Sequence, residues 1–492
     1  MRSLRIQPSA SVFWGMLIVI LAQPVSADEL LKNPNFREWK DGRPVGWKVS
    51  FGAGRRAGRE STLLPGKPDG IVLQGDRGTR RWRFVNQVVP AKPGACYRLR
   101  FRVRASGVKR EAGQFNNCYV GFFFRAADSK PVGHALLHFS DTNWSPQENI
   151  ATTTKGAVTA EVGLFLSKTG RLHVTGLSLE ELKPADSYDV LVQHMDRYYS
   201  YFALRKIDWK ALAAKHRAAA MKAKSPEEFA AAIKSLLAEL KDIHVWIDLP
   251  NGKRIAPYVN RVDGNYDFRA VRKTLKDVKQ IGRIALTGRT AEGYGYVAIG
   301  SLAGPEKPFR ELESAIDGLL DAKGMLIDLR SNAGGSEPRA QRIAAMFADK
   351  RRMYAQSKVR TGPKHTDFSP PSRRFIQPRS GKSFTKPVVC LIGPRCVSSG
   401  EGFALMLKAL PHVRLVGLPT RGASGNPAPV RLPNGVQVYF SRWVALQADG
   451  KPFEGTGIAP DVKIAHSGDG DPTFERAVKE LTERIKSSRR VR

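Results

Sequence analysis

Cysteine is scarce in this chain of 492 residues, which has only Cys96, Cys118, Cys390 and Cys396. No CxxC pair and no Cys/His spacing typical of zinc ligands occurs, so the sequence predicts no metal and no cofactor. Each of the pairs Cys96–Cys118 and Cys390–Cys396 falls inside one predicted domain. Two disulfides and four buried thiols are therefore both open.

Long apolar runs are also few, and no segment after residue 27 has the pattern of a membrane span. Residues 1–27 have a basic start, an apolar run at 12–21 and the small-residue site Val25-Ser26-Ala27. That order is typical of a cleaved signal peptide, and the run is too short to cross a bilayer comfortably. We predict an exported protein, periplasmic or extracellular, and an uncleaved membrane anchor is the alternative.

Acidic residues are outnumbered, with 45 Asp and Glu against 80 Lys and Arg, which gives a net charge of +35. Such an excess favours anionic partners. No nucleic-acid-binding motif occurs, however, and the basic residues are spread along the whole chain. We interpret the charge as a generally cationic surface and predict no nucleic-acid partner.

Residues 28–184 have an all-β pattern. The segment Tyr97 to Arg104 alternates apolar and basic residues, as expected of a half-buried strand. The stretches 31–36 and 43–47 are similar to the start of carbohydrate-binding jelly-roll modules. The similarity implies a β-sandwich accessory module. Its arginine face at positions 98, 100, 102 and 104 either meets an anionic glycan or is simply solvated.

Helical periodicity replaces the β pattern at residues 186–248. Ser225-Pro-Glu-Glu228 predicts a capping box with proline at the first helical position. An apolar face follows at Phe229, Ile233, Leu236, Leu237 and Leu240. We predict a small helical bundle here. Residues 249–486 then alternate between β and α segments, which predicts an α/β core.

Ser398 lies where an apolar strand-like run ends and an apolar helical run, 402–410, begins. A serine at such a turn exposes its hydroxyl beside the unpaired N–H groups of a helix start, which favour negative charge. This is the geometry of an acyl-transfer nucleophile. The alternative is an N-cap serine. Only one of the two glycines of G-x-S-x-G is present, so an α/β-hydrolase esterase is disfavoured.

Four motifs occur in a fixed order along the second half of the chain. They are Asp328-x-Arg-x-Asn-x-Gly-Gly335, Ser398-x-x-Glu401, Gly417-x-x-Thr-x-Gly422 and Glu454-x-x-Gly-Ile-x-Pro-Asp461. Together they resemble the serine peptidase family of tricorn protease and the C-terminal processing proteases, over residues 186 to 485. The resemblance implies a serine peptidase core with the spiral of the crotonase and ClpP families. Only about 45 residues separate Leu249 from Tyr294, too few for the PDZ domain of the processing proteases.

The family divides by its general base. Processing proteases use a lysine 25 residues after the nucleophile, and the corresponding residue here, 423, is alanine. Tricorn-type members use a histidine after the helical bundle and a glutamate far downstream, positions that match His244 and Glu454. In tricorn a serine precedes the histidine and links it to the glutamate, whereas this chain has Ile243. Either Glu454 reaches His244 directly or through water, or the relay is absent.

The expected oxyanion hole is made by the backbone. One candidate donor is the N–H of Ser399, and the other belongs to the loop of Gly334 and Gly335, where glycine lets the backbone approach a substrate carbonyl. We therefore predict an exported serine endopeptidase acting on a peptide or protein. The rival hypotheses are a non-catalytic member that binds peptides or apolar ligands, and a glycan-binding scaffold that acts through the N-terminal module.

Overall fold

A computed structural model describes residues 29–52, 63–66, 69–75, 82–108, 118–167, 169–465 and 470–490. The predicted signal peptide at 1–27 lies outside these residues. The chain divides into two compact units, 1–182 and 183–492. The division falls just before the predicted end of the accessory module at residue 184. The first unit is strand-rich, and the second is an α/β unit.

The described part of the first unit contains twelve strands. They are β1 (Trp39–Lys40), β2 (Arg43–Pro44), β3 (Lys48–Phe51), β4 (Leu63–Pro65), β5 (Ile71–Gly75), β6 (Trp82–Pro90), β7 (Cys96–Ser106), β8 (Cys118–Arg125), β9 (Pro131–His138), β10 (Thr142–Thr152), β11 (Thr159–Ser167) and β12 (Gly170–Leu182). Two five-stranded sheets, β10-β7-β12-β5-β4 and β3-β6-β11-β8-β9, contribute to one hydrophobic core. Every pairing in these two sheets is antiparallel. The jelly-roll connectivity stays a prediction.

Strand β7 has the predicted alternation from Leu99 onward, because Leu99, Phe101 and Val103 are buried while Arg100, Arg102 and Arg104 are exposed. Arg98 was predicted on the exposed face and is instead buried. The arginines of β7, however, do not form a free cationic row. Arg98 and Arg100 each form salt bridges with both Glu148 and Glu180, at 3.0 to 3.4 Å. Since these acids come from the neighbouring strands β10 and β12, much of the arginine face is neutralised within its own sheet.

The second unit begins with a 3-10 turn, Pro184–Asp186, and four helices: α1 (Ser187–Tyr198), α2 (Phe202–Arg205), α3 (Trp209–Met221) and α4 (Pro226–Ala238). Ser225 caps α4 as predicted, since its side chain accepts a hydrogen bond from the Glu228 N–H at 3.1 Å. Glu228 does not complete the capping box with Ser225, because its carboxylate accepts from the Lys224 N–H at 2.9 Å. The predicted apolar face of α4 is buried.

The remaining elements build the α/β part of this unit. They are β13 (Trp246–Asp248), β14 (Arg254–Ile255), α5 (Phe268–Thr274), β15 (Lys276–Ile281), β16 (Ala285–Arg289), β17 (Gly295–Ile299), α6 (Glu306–Asp317), β18 (Met325–Asp328), α7 (Glu337–Ala345), β19 (Arg352–Val359), β20 (Ser372–Ile376), β21 (Val388–Ile392), α8 (Ser399–Lys408), β22 (Val413–Gly417), β23 (Pro427–Arg431), β24 (Gln437–Ser441), β25 (Trp443–Gln447), β26 (Val462–Lys463) and α9 (Pro472–Arg490). A seven-stranded sheet has the order β15-β16-β17-β18-β21-β22-β26.

This sheet is parallel from β17 to β26 and is covered on both faces, which explains its nearly continuous apolar strands. Met325 and Ile327 pack on the side of α6, α7 and α8, whereas Leu326 packs on the side of α5 and α9. The loops that follow β17, β18 and β21 leave the same edge, where open α/β sheets bind their ligands. The spiral connectivity stays a prediction.

No disulfide forms in the described part of the chain, and all four cysteines are buried as thiols. Of the two alternatives left open by the sequence, the structure has the buried thiols. Among the described residues, no helix is long and apolar enough to cross a membrane.

Candidate active site

Ser398 lies at the N-cap position of α8, directly after the loop that follows β21. Its backbone has φ 60° and ψ −127°, a conformation that costs a non-glycine residue energy and is concentrated at functional sites. The Ser398 N–H donates to the carbonyl of Ala423 at 2.9 Å. The strained turn is therefore fixed against the segment that starts at residue 423, which is where processing proteases have their lysine.

Glu401 is the residue that holds this turn in place. Its fully buried carboxylate accepts hydrogen bonds from the Thr420 hydroxyl (2.6 Å) and from the N–H groups of Gly422 (2.7 Å), Ala423 (2.9 Å) and Ser398 (3.2 Å). Burial raises the pKa of Glu401 to about 7, and these donors oppose the rise. The carboxylate thus joins the start of α8 to the Gly417–Gly422 motif.

The loop after β18 is anchored by a buried ion cluster. Arg330 is 0% exposed and bonds Asp328 (2.6 Å from Nη2 to Oδ2) and Asp471 (2.6 Å from Nη1 to Oδ1). Further along the loop, the Asn332 side chain donates to the Ile299 carbonyl at 2.9 Å and accepts from the Gly334 N–H at 2.9 Å. The loop is therefore tied to the sheet by side chains of the Asp328–Gly335 motif.

Gly334 makes the closest approach to the serine. A Cβ atom at Gly334 would lie 2.7 Å from the Ser398 Cβ and 3.2 Å from the Ser399 nitrogen, so no side chain fits there. The Gly334 N–H is already used, because it donates to Asn332. Within the described residues, the N–H groups of Gly335 and Ser399 have no hydrogen-bond partner. Of the two glycines predicted as donors, Gly334 is therefore wrong, because its N–H is occupied, and Gly335 stays a prediction.

His244 lies in the turn between α4 and β13, and it is 8% exposed. The backbone N–H of His244 donates to the Asp242 carboxylate at 2.8 Å. The ring Nδ1 is buried without a partner among the described residues. Burial lowers the pKa of His244 below its ordinary value, and the nearby Asp242 carboxylate only partly offsets this. The imidazole is consequently neutral at pH 7, as a general base must be.

Glu454 is buried as well, but it is engaged with groups other than the histidine. Its Oε1 accepts from Arg205 Nη2 at 2.6 Å, and its Oε2 accepts from the Ser424 N–H at 3.1 Å. Burial, and after it the neighbouring Asp242 carboxylate, raises the pKa of Glu454 to about 8, while Arg205 opposes the rise. No hydrogen bond in the described part of the chain joins Glu454 to His244.

The segment of residues 423–424 links Ser398 to Glu454, and Arg205 links Glu454 to the turn that precedes His244. Ala423 accepts from the Ser398 N–H, and the next residue, Ser424, donates to Glu454. Arg205, which pairs with Glu454, also donates to the carbonyl of Lys241, three residues before His244, at 3.2 Å. The side chains of Ser398 and His244 form no direct hydrogen bond, so their pairing stays a prediction.

Sequence reasoning missed two polar residues of this neighbourhood, Asp242 and Arg205, whereas Thr420 lies in the predicted Gly417–Gly422 motif. Asp242 accepts from the hydroxyls of Tyr199 (3.0 Å) and Ser441 (2.8 Å), and Arg205 and Thr420 hold Glu454 and Glu401. The D-x-H spacing of Asp242 and His244 was the one available signal. Among the described residues, no cluster of three His, Cys, Asp or Glu side chains could hold a metal ion.

The match to a family model lies within the second unit. The model of peptidase family S41 matches residues 293–464, a range that includes Ser398 and Glu454 and excludes His244. The carboxy-terminal processing protease CtpA of Bacillus subtilis (strain 168) is 30% identical over 162 residues, which are 32% of this chain and 32% of that protein. The chain thus spans less than two thirds of the relative that it matches. A crystal structure of a candidate peptidase from Parabacteroides merdae is 26% identical, with a TM-score of 0.53, over 61% of this chain and 97% of that one.

Proposed function

We propose that this chain is a serine peptidase with Ser398 as nucleophile and His244 as general base, because the model of peptidase family S41 matches residues 293–464. Ser398 Oγ attacks the carbonyl carbon of a peptide bond while His244 takes the serine proton. The same imidazole then returns the proton to the leaving amine, and water hydrolyses the acyl-enzyme. The base is histidine because the lysine position of the processing proteases is Ala423.

One observation carries this proposal. Ser398 has the left-handed φ of 60° at the start of α8 and lies beside two N–H groups, of Ser399 and Gly335, that lack partners among the described residues. The carbonyl of Gly334 accepts from the Leu302 N–H at 2.8 Å. Because C=O and N–H point in opposite directions across a trans peptide, the Gly335 N–H faces away from Leu302. Two such donors can stabilise the oxyanion of the tetrahedral intermediate.

The proposed substrate is a peptide or protein chain outside the cytoplasm, because the sequence of residues 1–27 is typical of a signal peptide. Glu454 belongs to the site as the residue that fixes Ser424 beside Ser398. The ion pairs of Arg98 and Arg100 leave the arginine face of β7 without a free cationic row. The structure therefore offers no specific observation in favour of the glycan-binding scaffold.

Hydrolysis of a peptide library by the purified protein tests the proposal. Ser398→Ala should lower kcat on the order of 10⁶-fold if chemistry is limiting. The matched control is Lys451→Ala, since the Lys451 side chain is exposed and forms a salt bridge with Asp449 in the same turn. Equal turnover by Ser398→Ala and the wild type would disprove the nucleophile. No turnover by the wild type on any peptide would favour the non-catalytic, ligand-binding alternative.

A further inference from the structure

The carboxylate that supports the histidine is the open question of this site. The family pattern points to Glu454, yet both of its oxygens are already occupied, by Arg205 and by the Ser424 N–H. Its side chain is 2% exposed, and the nearest cation is the Arg205 guanidinium at 2.6 Å. Ile243 also cannot relay a hydrogen bond. Glu454 is therefore bound to the loop beside Ser398 and is not directed at the imidazole.

Asp242 has a different set of partners. It is 0% exposed, and its carboxylate accepts three hydrogen bonds, all from neutral groups. The backbone N–H of His244 donates to Oδ1 at 2.8 Å, and the hydroxyls of Tyr199 and Ser441 donate to Oδ2 at 3.0 and 2.8 Å. Among the described residues Asp242 forms no salt bridge. A buried carboxylate that lacks a direct cationic partner is poised to stabilise a positive charge that develops nearby.

His244 is where such a charge develops. When the imidazole takes the proton of Ser398 it becomes a cation inside a buried turn, which desolvation disfavours. Its Nδ1 has no hydrogen-bond partner among the described residues. Asp242 is two residues away and is fixed to the His244 backbone, so the carboxylate and the ring belong to the same rigid turn.

We propose that Asp242, and not Glu454, is the positioning residue that supports His244 during catalysis. Asp242 fixes the turn by accepting from the backbone N–H of His244, and its carboxylate stabilises the imidazolium electrostatically. Glu454 instead accepts from the Ser424 N–H. It thereby fixes the loop whose Ala423 carbonyl accepts from the Ser398 N–H. This inference rests on the proposed function, because it needs His244 to act as the base.

The other charged and titratable groups around this pair come from separate elements. Tyr199 and Tyr201 follow α1, Arg205 ends α2, and Glu454 comes from the loop after β25. Burial raises the pKa values of both tyrosines well above the ordinary range, so both stay protonated and Tyr199 remains a donor to Asp242. Arg205 and Glu454 form their own ion pair. Asp242 is the charged group that raises the pKa of His244 against the effect of burial.

The test measures how fast a fluorophosphonate modifies Ser398 between about pH 4.5 and 9, with kcat/KM on an active library peptide as a second readout. The probe forms a bond from Ser398 Oγ to phosphorus, fluoride leaves, and the serine proton passes to His244, so no physiological substrate is needed. Asp242→Asn should move the midpoint of the rate profile down by about one pH unit or more and lower the plateau by about 10- to 1000-fold. Glu454→Gln should leave the midpoint close to that of the wild type.

Ser441→Ala should shift the midpoint of the rate profile in the opposite direction. It removes the Ser441 hydroxyl dipole from Asp242 Oδ2, so the carboxylate interacts more strongly with the imidazolium and the midpoint should move up. This variant also keeps the test decisive if Asp242→Asn does not fold, as judged by circular dichroism and thermal unfolding. Midpoints that stay unchanged in both variants, or a larger downward shift in Glu454→Gln than in Asp242→Asn, would overturn the inference. A wild-type protein that the probe does not label would instead disprove the proposed function.

Discussion

The two halves of the candidate site are built in different ways. The nucleophile half consists of residues 328–335, 398–401 and 417–423. Side chains of its motifs form hydrogen bonds with backbone N–H and carbonyl groups. The base half consists of residues 199–205, 241–244 and 454, where charged side chains from three segments are buried together. The first half fixes backbone geometry, and the second half fixes the charge around one imidazole.

This difference bears on the chemistry expected of each half. An oxyanion hole needs donors at fixed positions, and buried acceptors such as Glu401 and Asn332 supply that rigidity. A general base needs a suitable pKa, which depends on burial and on neighbouring charges. Geometric changes should therefore be most damaging in the nucleophile half, whereas changes of charge should be most damaging in the base half.

The largest expected effect would show that both halves are required. His244→Ala should lower kcat by a factor comparable to that of Ser398→Ala, on the order of 10⁶, because the two residues act as a unit. In the wild type, kcat/KM should rise with pH through a midpoint below 6.5, the ordinary value, since burial lowers the pKa of His244. The pH profile of each protein is the measurement. A His244→Ala variant that keeps both the rate and the ionisation would make the histidine structural.

The next effect tests the rigid support of the nucleophile half. Arg330→Met leaves the buried carboxylates of Asp328 and Asp471 without their cation, which should lower the free energy of unfolding by about 3–5 kcal/mol. Urea denaturation measures this change. The matched control is Lys215→Met, because its salt bridge with Glu239 is exposed and should contribute less than about 1 kcal/mol. Equal losses in the two variants would contradict the role assigned to the cluster.

A smaller expected effect, on kcat, distinguishes steric crowding at Ser398 from backbone strain at a glycine with positive φ. Gly334→Ala places a methyl group 2.7 Å from the Ser398 Cβ at φ +80°, and should lower kcat about 10²- to 10³-fold by displacing the loop of Gly334 and Gly335. Gly252→Ala is the control: its φ is +86°, but nothing lies within 4 Å of the added methyl. Both should lose stability from strain, and only the first should lose activity. Similar activity in both would show that the close approach is not needed.

Much of the nucleophile half could be predicted from the sequence, because its residues lie in short motifs that a single turn or loop brings together. Ser398, Ser399 and the glycine loop were placed in this way, although the sequence could not show that Asn332 occupies the Gly334 N–H. The alternating strand 97–104 and the cap at Ser225 were likewise predictable, since periodicity and capping are local properties.

The base half could not be predicted to the same depth. Arg205, Asp242 and Glu454 come from segments up to about 250 residues apart, and their pairing depends on tertiary packing. The family pattern pairs the histidine with Glu454, whereas here an arginine pairs with that glutamate. The ion pairs of Arg98 and Arg100 were hidden for the same reason, because their acids lie on other strands.

Mapping the fluorophosphonate adduct by mass spectrometry tests the central claim most directly. The account predicts one modified residue, Ser398, with a labelling rate that rises with pH through a midpoint below 6.5 and is lost in His244→Ala. Peptide hydrolysis should disappear as the adduct forms. An adduct at another residue, or hydrolysis that persists in fully labelled protein, would contradict the account.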